Sequence, residues 1–164
     1  MPATYEPIAT TTLSSTATTI SFTSIPGTYT DLVLVTSVKA STANTNQWMR
    51  FNSNSGTNYS STNLYGTGTS ALSTRQSSQD KINSVLSGYL TTSENSPGIY
   101  NIMNYSNTTT FKTMISRFNN SGVVAQAEVS LYSSTSAITA IEIFTTPDSF
   151  AVGSTFTLYG IKAA

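Results

Sequence analysis

Alternation of apolar and hydroxyl side chains in short segments is the feature of this sequence that most constrains its fold. It is cleanest near the end of the chain, where Phe156 and Leu158 alternate with Thr155, Thr157 and Tyr159. Successive Cβ atoms of a strand point to opposite faces, so a period of two predicts a half-buried strand. The first two residues are expected to face the core, and the other three to meet solvent or a sister subunit.

Similar segments recur along the chain, with turn-forming residues between them. Strands are predicted at residues 18–25, 31–38, 47–51, 82–90, 99–105, 110–118, 123–132, 138–144 and 154–161. Short strands separated by turns at this spacing are typical of sandwiches and barrels, and no segment has the pattern of an amphipathic helix. The sequence therefore predicts one all-β domain over residues 1–164, an antiparallel β-sandwich of about eight to ten strands.

The segment 123–132 shows the alternation over its whole length. One side is apolar and is predicted to be buried: Val123, Ala125, Ala127, Val129 and Leu131. The other side is polar and is predicted to be solvated: Gln126, Glu128 and Ser130.

Two stretches do not follow this pattern. Residues 1–13 are extended in character, but Pro7 lacks an amide donor, so they are expected to form an edge strand or an arm that clasps a neighbour. Residues 57–80 are rich in Ser, Thr, Asn and Gly and are interpreted as a long loop. Loops of this length are often functional, so the contact surface is predicted there and in the turn-rich stretch 93–98.

Composition excludes several classes of function. Only 9% of residues are charged and the net charge is zero, which argues against nucleic acid or an anionic membrane as partner. No apolar run approaches the roughly 18 residues of a membrane span, and the first residues do not resemble a signal peptide. The absence of Cys fits a reducing cytosol. The absence of His removes the commonest general base and metal ligand, so no enzyme activity, cofactor or metal is predicted.

Aromatic side chains are the best candidates for a binding site. They suit either a platform for a sugar or simple packing, and packing is favoured. The candidate contact residues are Trp48, Tyr59, Tyr65, Asn95 and Tyr100, with Tyr89 as a further member of the platform.

Other local patterns carry less information. The carboxylates of Asp80, Glu94 and Asp148 lie in loops without the spacing of an EF-hand. The glycines of the segment 66–68 fail the context of a phosphate-binding loop. The glycosylation sequons are interpreted as chance products of an Asn-, Ser- and Thr-rich chain.

Several longer motifs resemble a family of small virion structural proteins of tailed bacteriophages, and they span nearly the whole chain. They lie at residues 5–13, 25–32, 50–52, 56–60, 103–109 and 153–162. The resemblance implies a jelly-roll protein, often trimeric, that decorates capsids or forms fibre tips, and it brings no catalytic residue with it.

Three functions are compared on this basis. The first is a capsid decoration, or cement, protein in the virion, assembled in the host cytoplasm as a homotrimer that binds the major capsid protein or another virion protein. The second is a tail-fibre or receptor-binding tip that contacts host glycans. The third is a carbohydrate-active enzyme with two carboxylates, for which no motif is present.

Overall fold

Twelve β-strands account for the fold of the part of the chain that the structure describes, and that part contains no helix. The structure is a computed structural model that describes residues 4–162, except for the side chain of Ser87. The strands are β1 (Tyr5–Thr12), β2 (Thr19–Phe22), β3 (Asp31–Val38), β4 (Thr45–Phe51), β5 (Tyr59–Gly66), β6 (Ala71–Gln79), β7 (Ile82–Leu90), β8 (Ser96–Met103), β9 (Lys112–Asn120), β10 (Val124–Tyr132), β11 (Ile141–Phe144) and β12 (Thr155–Ile161).

The strands form two antiparallel sheets that pack as a sandwich, which confirms the predicted fold class. The larger sheet has the order β1-β12-β3-β8-β9-β10-β5-β6, and the smaller has the order β2-β11-β4-β7. The pairs β1·β12, β2·β11, β3·β8 and β4·β7 are nested in sequence, as in an antiparallel ribbon folded over itself. A jelly roll has this order of pairing. The hairpins β5-β6 and β9-β10 are inserted into it and widen the larger sheet.

The core lies between the two sheets and is built from the apolar positions of strands on both sides. In β3, Leu32 and Leu34 are fully buried, and in β12 Phe156 and Leu158 are fully buried, as predicted. Phe156 packs its ring edge against Phe150, with ring centroids 5.1 Å apart. Burying such a side chain stabilises the fold by roughly 1.5–3 kcal/mol.

Strand positions were predicted best where apolar residues dominate. The predicted bounds of β3 and β7 are confirmed, and those of β10 and β12 differ by one residue. The prediction of a loop over residues 57–80 is wrong, because this stretch forms β5 and β6, which pair along their length. Their many Ser and Thr residues resemble loop composition, but β-branched Thr and alternating side chains also suit a strand.

The N-terminal segment forms the edge strand that was one of its two predicted states. Strand β1 pairs with β12 of the same chain, and the register shifts between Pro7 and Ala9. An edge strand has a partner on one side only, so a proline in it can face solvent without costing the sheet a hydrogen bond. Residues 1–3 lie outside the described part of the chain.

Candidate functional site

The outer surface of the larger sheet carries several apolar side chains, among polar ones, that point away from the core. The most exposed of them are Leu64 (63%), Val129 (52%), Ile115 (42%) and Ile99 (40%). An apolar residue on the surface is ordinary when it stands alone, but a contiguous group marks an interaction site.

The strand registers show that these side chains are contiguous. Residues directly across from one another form three rows over neighbouring strands. The rows are Val35, Ile99, Arg117, Ala127 and Leu64; Val33, Asn101, Ile115, Val129, Thr62 and Arg75; and Met103, Thr113 and Leu131. We call the surface made by these three rows the outward face. It is the candidate functional site.

Strand β10 contributes its apolar side to this face, which corrects the sequence-based prediction. Its apolar residues Ala125, Ala127, Val129 and Leu131 are exposed, and its polar residues Gln126, Glu128 and Ser130 are buried. The alternation was recognised, but the sides were assigned the wrong way round. The reason is the environment on the inner side of the sheet, where polar residues of the neighbouring strands lie next to β10.

Those inner polar residues form a hydrogen-bonded network beneath β7. The Gln126 side-chain amide donates to Asn63 Oδ1 at 2.8 Å, and its carbonyl oxygen accepts from the Leu86 amide at 3.2 Å. Gln47 donates to Tyr100 Oη at 2.7 Å and to Ser84 Oγ at 3.2 Å. Buried polar groups are tolerated when they are paired in this way, so β10 can turn its polar side inward.

Glu128 lies within this network, and it forms no ion pair with any residue that the structure describes. The Ser130 hydroxyl donates to one carboxyl oxygen at 2.8 Å and the Ser116 hydroxyl to the other at 3.3 Å. Desolvation by burial raises the pKa of Glu128 to about 7, although the hydroxyl hydrogen bonds act to lower it. The side chain of Glu128 is buried, so its charged form costs stability, and a reacting group would have to enter the sandwich to reach it.

Two arginines lie on the outward face without an acidic partner. Within residues 4–162, the ion pairs join Arg50 and Lys81 to Asp80 and Lys162 to Glu6, and neither Arg75 nor Arg117 takes part in one. Arg117 lies on β9 between Ile99 and Ala127, and Arg75 lies on β6, so the face has one positive charge among its apolar residues and one at its β6 side.

A shallow concavity lies on the outward face where β9, β10, β5 and β6 run side by side. Its volume is about 660 Å³, and Leu64, Ala127 and Arg117 are among its lining residues. Small residues at Gly66, Ala71 and Ala125 leave the depression open. Its apolar lining with one charged group suits a side chain of another protein better than a polar metabolite.

Strand β6 ends the larger sheet and is exposed along nearly its whole length. Pairing with β5 is its one contact with the sheet, and Leu72 on the side opposite the outward face is also exposed. Free edge strands present unpaired amides and carbonyls to other chains. Residues 57–80 thus contribute to the candidate site as strands, where the sequence predicted a contact loop.

The aromatic residues predicted as a binding platform are not brought together. Tyr59 and Tyr100 are buried in the sandwich, and desolvation raises the pKa of Tyr59 to about 12. Tyr65 contacts Tyr89, with ring centroids 5.9 Å apart. Packing, the favoured interpretation, describes these four residues.

Trp48 lies on the other side of the molecule, on the outer surface of the smaller sheet. Its ring contacts Phe144 at a centroid distance of 5.5 Å, and Lys81 Nζ lies 4.8 Å from its centre. Asn95 is exposed in the turn before β8, whereas Tyr100 within β8 is buried. The predicted contact residues therefore do not form one site.

The loop carboxylates are each engaged by protein groups. Asp80 pairs with Arg50 and Lys81, and Glu94 accepts from Ser121 Oγ at 3.1 Å. Asp148 accepts four hydrogen bonds from residues 41–43. No group of three or more acidic side chains that could hold a metal ion occurs in the described residues.

No family model matches the chain, and no curated protein matches it. The described residues also include no helix that is long and apolar enough to cross a membrane. The candidate site therefore has to be interpreted from its own chemistry.

Proposed function

We propose that this chain is a structural protein of bacteriophage virions, a decoration protein that docks on the head shell and stabilises it. The observation that carries the proposal is the outward face, an exposed apolar surface built on a rigid sheet. A protein that binds the assembled shell and not its dissociated parts stabilises the shell by mass action. The motifs that resemble small phage virion proteins supply the class of particle.

The rest of the surface is consistent with such a role. Charged residues are few and the net charge is zero, so long-range attraction to nucleic acid or membranes is weak. Exposed hydroxyl side chains cover both β1 and β6. We propose that the decoration protein is a homotrimer that binds the major capsid protein. The alternative function is a tail-fibre tip that binds host glycans.

Immunogold labelling of intact virions with an antibody to this chain tests the proposal. Label distributed over the head is the expected result. Label confined to the tail would overturn the decoration function in favour of the fibre tip, and virions without label would overturn the virion function altogether.

Re-addition of the protein to particles tests the role of the face. Heads stripped of the chain should recover their resistance to heat when the wild-type protein is added. The variant Val129→Glu should bind them poorly, because it places a charge in the middle of an apolar contact. The matched variant Val152→Glu, in the turn before β12, should bind as the wild type does, since this exposed valine lies off the face.

A further inference from the structure

We propose that strand β6 binds an extended segment of another protein, which joins the larger sheet as a further strand and places a carboxylate across from Arg75. The identity of the partner rests on the function proposed above, under which the head shell supplies this segment. Addition at the edge of the sheet leaves the outward face free to contact the same shell.

The four edge strands of the described part of the chain differ in how well they are protected against such pairing. Native edge strands are usually short, or are interrupted by a proline or a bulge. Strand β2 has only four residues, and β1 contains Pro7 beside a register shift. The pairing of β7 with β4 shifts register twice, and Gly88 has a φ of 81°. In β6, six consecutive residues, 71–76, stay in register with β5 and the strand has no proline, so this edge is open to a further strand.

The register shows which backbone groups of β6 face the free edge. The Thr67 amide donates to the Ser70 carbonyl oxygen at 3.0 Å, so these two residues form a hydrogen-bonded pair. Hydrogen-bonded and non-hydrogen-bonded pairs alternate along an antiparallel ladder. Ala71, Ser73 and Arg75 therefore belong to non-hydrogen-bonded pairs and turn their amides and carbonyls away from β5. A partner strand needs donors and acceptors at this spacing.

The side chains of these residues indicate the chemistry of the partner. Arg75 is exposed, is the only charged residue of β6, and forms no ion pair within residues 4–162. A carboxylate across from it in an added strand would make an opposite-charge pair, which stabilises neighbouring strands. Ala71 and Ser73 are small and line the concavity, which leaves room for a large apolar side chain of the added strand beside Leu64. The partner segment therefore has an acidic residue and, two positions away on the same side, an apolar one.

Strand β6 of a second copy does not have this chemistry. Full-length antiparallel pairing of two β6 strands would place Arg75, the middle residue, directly across from the same residue of the other copy. Like charges in that position destabilise a strand pair. The edge therefore resists pairing with itself and stays open to an acidic strand.

Binding of a probe peptide, followed by the NMR shifts of backbone amides, tests the inference. In the peptide, which has blocked termini, Thr alternates with Leu, Glu and Leu, so it fits the edge in either direction. A matched peptide carries Lys in place of Glu. The Glu peptide is expected to shift the amides of Ala71, Ser73 and Arg75 and to bind about 5-fold more tightly than the Lys peptide. In Arg75→Glu this preference should reverse.

Backbone variants separate strand addition from a contact made by side chains alone. Ser73→Pro removes an amide that faces the free edge and leaves the hydrogen bonds with β5 in place. It should weaken binding of the Glu peptide at least about 10-fold, because a peptide carbonyl is then left without its donor. Ser73→Ala keeps the amide and should bind as the wild type does. Circular dichroism checks the fold of Ser73→Pro, and the charge reversal at Arg75 carries the test if that variant does not fold.

The outcomes separate this inference from the proposed function. It is overturned if the Glu peptide does not bind the wild type, if the Lys peptide binds equally well, or if folded Ser73→Pro binds as tightly as Ser73→Ala. Immunogold label over the head would in that case leave the decoration function standing. If the Glu peptide binds at β6 as expected but virions carry no label, the edge binds an acidic strand and the head shell is not its source.

Discussion

Glu128 has the least ordinary environment of any carboxylate in the described part of the chain. Its side chain is buried among hydroxyls and amides of β9, β10 and β5, with Ser116 and Ser130 as donors. Hydroxyl donors offset only part of the cost of removing a carboxylate from water, and the pKa near 7 reflects the remainder. Stability should therefore depend on pH in a particular direction.

The folded protein holds the Glu128 proton more tightly than the unfolded chain does. The carboxyl titrates near 4.5 when unfolded and near 7 when folded, so the free energy of unfolding should fall as pH rises between these values. Glu128→Gln should remove this fall and stabilise the protein at pH 8 by on the order of 3 kcal/mol. Urea unfolding at pH 5 and pH 8 measures both effects.

Glu142→Gln on β11 is the control for that substitution, because Glu142 is only half-buried. It should leave the pH dependence of the wild type in place. If Glu128→Gln keeps the same pH dependence as the wild type, the assigned environment of Glu128 is wrong.

Asp148 makes stability depend on pH in the opposite direction, because hydrogen-bond donors stabilise its carboxylate. Burial alone would raise the pKa of Asp148, but the amides of Ala43 and Thr42 and the hydroxyls of Thr42 and Ser41 hold it well below 3.8. The contribution is therefore present above pH 3.8 and lost as pH falls below it. Asp148→Ala should lower the free energy of unfolding at pH 7 by roughly 1.5–3 kcal/mol.

Unfolding measured at pH 7 and near pH 2.5 tests the role of Asp148. The difference between wild type and Asp148→Ala should shrink at the lower pH, because the Asp148 carboxyl of the unfolded wild-type chain is then protonated, which favours unfolding. A difference that stays constant would mean that the hydrogen bonds do not depend on the charge.

At the scale of the element, β10 shows what alternation can establish. The period of two predicted the strand to within one residue, because it depends only on the backbone. The choice of the inner side depended on the neighbours of the strand, and Asn63, Ser116 and Tyr100 come from segments distant in sequence. No local pattern in the segment 123–132 contains that information.

A pair of adjacent substitutions in β10 tests this orientation. Ala127→Lys places a charge on the outward face, outside the core, and should change the free energy of unfolding of the single chain by about 0.5 kcal/mol or less. Gln126→Lys buries a charge in place of a paired amide and should cost several kcal/mol. Chemical unfolding of the two variants would contradict the structure if Ala127→Lys were the more damaging one.

Strands β5 and β6 show where sequence patterns fail to predict a strand. The composition of residues 57–80 is that of a loop, and β6 buries almost no apolar surface that could leave a hydrophobic pattern. By contrast, Leu32 and Leu34 in β3 are covered from the core side, and the predicted bounds of that strand are confirmed. Sequence patterns predict strands well to the extent that the strands bury apolar residues.

At the scale of the whole molecule, the two inserted hairpins change what the sandwich offers to other proteins. Strands β9, β10, β5 and β6 bring the larger sheet to eight strands, against four in the smaller sheet. They add apolar side chains to the outward face and leave β6 as a free edge. The sequence predicted a sandwich and a contact surface near residues 57–80, but it did not predict an apolar outer face, because the same residues were assigned to the core.

The sequence motifs bear on the class of particle, and the structure bears on which surfaces of the protein can be covered. The motifs suggested the class of particle, and Thr155, Thr157 and Tyr159 lie half-buried on the outer side of β12, beside the outward face. Their predicted contact with a sister subunit stays a prediction, as do the trimer and its capsid partner. Each depends on whether the outward face is covered in the assembled protein.

Thiol reactivity shows whether the outward face is covered, because the chain has no Cys and each introduced thiol is the sole one present. Val129→Cys lies on the outward face and Val152→Cys lies off it, and both valines are more than half exposed in one chain. In the native assembled protein, maleimide should modify the Val152→Cys thiol rapidly and the Val129→Cys thiol at least about 10-fold more slowly, with equal rates in denaturant because burial is then lost. Equal rates in the native protein would mean that the outward face is not covered.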